Sequence, residues 1–122
     1  MEYIEKSTHT AFKRYCKTLE LKNDPELITS YKKIHAEIWP EIAQGIKEVG
    51  IIDMEIYIAG TRLFMIMDTV PEFDHDKAMT ELAGKPRQRE WETYVSRFQR
   101  TSADATADEK WQVIERIFKL SA

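Results

Sequence analysis

Apolar side chains recur along this chain with two different periods, and the changes of period divide it into elements. Residues 11–21, AFKRYCKTLEL, alternate imperfectly through Phe12, Tyr15, Cys16, Leu19 and Leu21 and close on KNDP, which reads as a strand. From Asp24-Pro25 the spacing lengthens to three and four through Leu27, Ile28, Tyr31, Ile34, His35, Ile38, Ile42 and Ile46, stopping at Gly50. That spacing predicts a helix with a well-formed start. An aspartate accepts from the free amides there, and proline at the first helical position gives up no hydrogen bond. Residues 51–70, IIDMEIYIAGTRLFMIMDTV, hold two β-like runs around Ala59-Gly60-Thr61, the clearest hairpin signal in the chain.

A short helix is expected from Phe73-Asp74 through Ala83, ended by Gly84 and Pro86. A second covers residues 87–98, RQREWETYVSRF, with Trp91, Val95 and Phe98 on one side. Residues 101–110, TSADATADEK, are small and polar and read as a mobile loop. Residues 113–120, VIERIFKL, set Val113, Glu115, Ile117 and Lys119 against Ile114, Arg116, Phe118 and Leu120, and read as a last strand.

The resulting order is β-α-β-β-α-β with the second α split in two. That order is the ferredoxin-like α+β pattern, an antiparallel sheet with helices on one face. Residues 62–70, RLFMIMDTV, are apolar on both faces, so the face without helices needs a cover. A second copy of the chain is expected there, giving a homodimer with sheets packed face to face as a dimeric α+β barrel.

Composition narrows the class. A chain of 122 residues makes one domain, 1–122, and buries enough surface to need no staple. Residues 1–10 read as a polar N-terminal extension, open to disorder. With 18 basic against 21 acidic residues, nothing favours nucleic acid or an anionic membrane as partner. Cys16 is the only cysteine, so no intramolecular disulfide or thiolate-cluster metal site can form. No segment reads as a signal peptide or membrane span, and a cytoplasmic setting is the default.

The chemistry concentrates in YKKIHAEIWPEI, residues 31–42. Tyr31 and His35 stand one turn apart on one face of the expected helix. Pro40 cannot donate to the carbonyl of Ala36 and steers Trp39 away from helical geometry. A break near residues 36–40 follows, worth on the order of 3 kcal/mol if uncompensated. His35 then ends the first half. On residue type alone it is either a half-buried packing histidine bonded to backbone or a general acid/base that titrates near neutrality. The three histidines, His9, His35 and His75, show no metal-ligand pairing, and no metal is expected.

Tyr31, His35, Ile38, Trp39, Pro40 and Glu41 spell Y-x-x-x-H-x-x-I-W-P-E, which resembles the signature of the L-rhamnose mutarotase family. Collinear with it are Gly50, Ile56-Tyr57, residues 63–67 (LFMIM), Trp91 with Tyr94, and Phe118 with Leu120. The resemblance implies a dimeric ferredoxin-like isomerase that interconverts the anomers of a 6-deoxyhexose such as L-rhamnose or L-fucose without metal or cofactor. It makes His35 the proton donor and Tyr31 a substrate-binding residue, and sets the Trp91 ring against the sugar. Directly after Asp53 the rhamnose-type enzymes carry a binding tyrosine, where this chain has Met54. After Trp91 they carry a second tryptophan, where this chain has Glu92. The resemblance therefore also marks Met54, Glu92 and Asp53 as sugar-contacting positions and points to a changed sugar. The same fold also hosts small cofactorless oxygenases and could carry a non-catalytic sugar-binding module, which remain the alternatives.

Overall fold

The computed structural model describes residues 2–5 and 11–121. Strand β1 spans Lys13–Glu20, and the hairpin is made by β2, Ile51–Ala59, and β3, Arg62–Thr69. Ala59 faces Arg62 across a two-residue turn in which Gly60 takes φ +63°. A positive φ at the first central position suits glycine and matches the twist of the strands on either side. Gly50, at φ +101°, makes the sharp exit from helix to β2.

Strand order in the sheet is β2-β3-β1-β4, all antiparallel, with β4 at Gln112–Ile114. This is the ferredoxin-like order, with β3 and β1 in the centre. Leu19, Leu63, Met65 and Met67 point to one face and are buried against helix residues including Tyr31, Ile42, Leu82, Trp91 and Val95. Each such aliphatic or thioether side chain contributes about 1.5–3 kcal/mol when fully removed from water. Phe64 and Tyr57 look out from the other face and stay 38% and 39% exposed.

The long helix breaks where Pro40 requires. Helix α1, Pro25–Ala36, begins with Asp24 accepting from the amides of Glu26 and Leu27. Helix α2, Pro40–Glu48, takes Pro40 into its first turn with Trp39 extended at ψ 135° before it. The proline thus opens a helix rather than interrupting one, and its missing N–H costs nothing. Helices α3, His75–Ala83, and α4, Gln88–Val95, follow slightly shorter than expected. Between them, Arg87 adopts a left-handed φ of 61°, with its guanidinium 4.1 Å over the Trp39 ring.

Two expectations are corrected. Residues 101–110 are not all loop, because Thr106 and Glu109 form a capping box that starts α5, Ala107–Lys110. The strand expected over 113–120 is three residues long and ends at Ile114. Beyond it Ile117 and Leu120 are each 91% exposed. Alternation prepares a strand, but a ladder needs a partner edge and a surface to bury its apolar row, and residues 115–120 meet neither. Of the polar extension, residues 6–10 and Met1 lie outside the described residues, and Tyr3 sits edge-on to Tyr57. No helix among the described residues is long and apolar enough to cross a membrane.

Candidate active site

The break at Pro40 leaves His35 in the last turn of α1, beside a wall of aromatic rings. Its centroid is 4.1 Å from Tyr31 and 5.5 Å from Trp91. Trp39, carried just past the break, meets Trp91 at 5.1 Å and stacks on Tyr94 at 5.7 Å. These contacts fix the imidazole in plane and position.

One nitrogen of that ring is already committed. Nδ1 lies 2.9 Å from the main-chain oxygen of Tyr31. A carbonyl only accepts, so Nδ1 carries the hydrogen and the neutral ring presents an unprotonated Nε2. Nε2 has no hydrogen-bond partner among the described residues. Burial pushes the His35 pKa below the ordinary histidine value, and the bond to Tyr31 only partly opposes it. At neutral pH the group is an imidazole base.

Tyr31 is 3% exposed, and its hydroxyl accepts from Gln99 Nε2 at 3.3 Å. Its own hydrogen is therefore free to be donated. Burial raises its pKa far above the usual phenol range, so it stays a neutral donor. Both residues line a cavity of about 390 Å³ between helices and sheet, shared with Lys17, Met54, Trp91 and Glu92. That volume falls within the range of small-ligand sites.

The sequence-derived positions divide once placed. Tyr31, His35, Met54, Trp91 and Glu92 come together on this cavity. Glu92 is 8% exposed and already engaged, accepting from Lys110 Nζ at 2.9 Å and from Gln88 Nε2 at 2.6 Å. Asp53 lines the same cavity but is exposed. The register sets it opposite Asp68, on the side of Glu55 and Tyr57, and its carboxylate accepts from the Met54 amide. Sequence reasoning missed Lys17, Gln88, Gln99 and Trp111, which also line the space. The amide oxygens of Gln88 and Gln99 are buried without a hydrogen-bond partner among the described residues, and an amide oxygen can accept from a hydroxyl. No group of three metal-ligating side chains occurs among the described residues.

A profile of the family described as L-rhamnose mutarotase matches residues 14–120. The chain is 35% identical over 113 residues to the L-fucose mutarotase of Xanthomonas campestris pv. campestris, covering 91% of this chain and 90% of that one. It is 31% identical over 85 residues to the L-rhamnose mutarotase of Acidiphilium cryptum, covering 68% and 78% respectively. The crystal structure of an L-rhamnose mutarotase from Formosa agariphila matches with a TM-score of 0.68 over 89% of this chain and 99% of that one, at 18% identity, and so shares the fold.

Proposed function

This chain belongs to the L-rhamnose mutarotase family, isomerases that interconvert sugar anomers, and on that premise we propose that its substrate is L-fucose and its proton carrier His35. The observation that carries the mechanism is the unprotonated Nε2 of His35 at the cavity wall. Ring opening of a hexopyranose moves the anomeric O1–H proton to a base as C1=O forms and the C1–O5 bond breaks. Rotation about C1–C2 and reclosure on the other carbonyl face give the second anomer. In this scheme Nε2 takes the anomeric proton, and the imidazolium so formed is the proton donor on closure. Tyr31 donates to a sugar oxygen, and the Trp91 ring covers the C–H face. No cofactor enters the scheme.

L-Fucose is favoured over L-rhamnose by the greater likeness to the Xanthomonas protein named for it, and by Met54 and Glu92 standing where rhamnose-type enzymes carry aromatics. Anomer exchange of both sugars, followed by NMR saturation transfer with and without protein, tests this. L-Fucose exchange should accelerate more than L-rhamnose exchange; no acceleration of either above buffer sinks the reading.

The working form is proposed to be a homodimer. Phe64, Tyr57 and Ile114 are each more than a third exposed on the open sheet face, beside half-buried Cys16 and Ile66. The Arg14–Asp68 pair at 2.7 Å and the Arg62–Glu20 pair at 2.6 Å flank them, so the apolar centre has a polar rim. Light scattering should give twice the 14.4 kDa of one chain, and Phe64→Glu should return it to one. A wild-type protein of single-chain mass at tens of micromolar would exclude this interface. The proposed setting is cytoplasmic, where an unpaired Cys16 stays reduced.

A further inference from the structure

Opening the ring leaves an electron pair on O5 that needs a proton of its own, and His35 in its resting form has none to give. We infer that Lys17, from the centre of β1, is the second proton-transfer group, its ammonium protonating the ring oxygen while His35 takes the anomeric proton. This deepens the reading of the site as a mutarotase and rests on it.

Three observations carry the assignment. Lys17 is 1% exposed, in register with Met65 on β3 and Val113 on β4, yet it lines the cavity that His35 lines. Its ammonium makes no hydrogen bond or ion pair among the described residues. A buried cation without a partner is expensive, and a methionine would fill the same space at lower cost, so a purely structural role does not explain it. The other ionisable groups facing the cavity are occupied or badly placed. Glu92 is paired with Lys110, Asp53 is bonded to the Met54 amide, Lys47 on α2 is exposed, and the Tyr31 phenol holds its proton too tightly.

Burial lowers the pKa of Lys17 from the ordinary lysine value, and the charge of Asp108 on α5 opposes this without pairing. A lysine so placed is a stronger acid than one in water. The protons balance. On opening, O1 gives its proton to His35 Nε2, the C1–O5 bond breaks, and O5 receives a proton from Lys17. On closure the imidazolium protonates the new anomeric oxygen, and O5 returns its proton to the neutral amine.

Lys17→Met tests the assignment against packing. Catalysed exchange of L-fucose should fall by about 100-fold or more, while the melting temperature holds or rises because an apolar thioether replaces an unpaired charge. The wild-type pH–rate profile should bend down on its alkaline side below the ordinary lysine value of about 10.4, and the variant should lose that limb. Exchange by Lys17→Met within threefold of wild type, a lowered melting temperature with the pH profile unchanged, or a wild-type rate with no alkaline limb would each overturn the role of Lys17. A wild-type protein that accelerates no sugar would instead remove the mutarotase reading, and this inference with it.

Discussion

His35→Gln is expected to lower catalysed anomer exchange by about 10²–10⁴-fold, to near the rate in buffer, while the protein stays folded. Glutamine keeps polar bulk next to Tyr31 and Trp91 but offers no nitrogen that can take and return a proton. The wild-type pH dependence follows from the same group. Burial lowers its pKa and the hydrogen bond to the Tyr31 carbonyl opposes that, so the base form persists into mildly acidic solution. Exchange should hold as pH falls through the ordinary histidine value of about 6.5, and decline only below it. Stability has the matching sign. Below about 6.5 the unfolded chain binds a proton that the folded imidazole refuses, so His35 contributes stability above that pH that is lost as pH falls towards its folded value. A variant that exchanges L-fucose within threefold of wild type would remove His35 from the mechanism.

The largest stability effect is expected from Lys110→Met. The Lys110 side chain is fully buried and its Nζ sits 2.9 Å from a Glu92 carboxylate that is 11% exposed, donating also to the Glu92 main-chain oxygen at 2.6 Å. Removing the cation leaves that carboxylate in the interior with Gln88 as its one remaining side-chain donor among the described residues. Breaking a buried pair from one side costs about 3–5 kcal/mol, which in a chain of this size lowers the melting temperature by roughly 10 °C or more. The double change Lys110→Met with Glu92→Met should lose far less than the sum of the two single changes, because no charge is then stranded. Thermal and urea unfolding of the four proteins gives the coupling directly. Additive losses would mean that Lys110 and Glu92 stabilise the fold independently.

Periodicity disclosed what depends on neighbours along the chain. The hairpin at Gly60, the break before Pro40 and the Asp24 cap are local chemistry, and each forms where the residues require. Element α5 was legible too, in Thr106 and Glu109, but small polar neighbours disguised its capping box as loop. The closing strand failed for a different reason, since alternation over residues 113–120 says nothing about whether an edge is available. The site was half legible. Tyr31, His35 and Trp91 were visible through a motif, whereas Gln99 reaches Tyr31 across 68 residues and Lys110 reaches Glu92 across 18. One signal went unread: Lys17 falls in phase with Tyr15, Leu19 and Leu21, and a lysine in a core phase asks for a reason.

The early stop of α1 at Ala36 has an electrical side. The last-turn carbonyls of a helix lack intrahelical donors, and together they form the negative end of its dipole. His35 stands in that turn. Its apolar surroundings keep it uncharged at rest, while the helix end favours a cation formed there for a moment, by about 0.3–1 kcal/mol at exposed sites and more where partly buried. A continuous helix through Pro40 would have carried that negative end several turns away. In the proposed reaction, the interruption sets a fixed counter-charge beside the one atom that must briefly become positive.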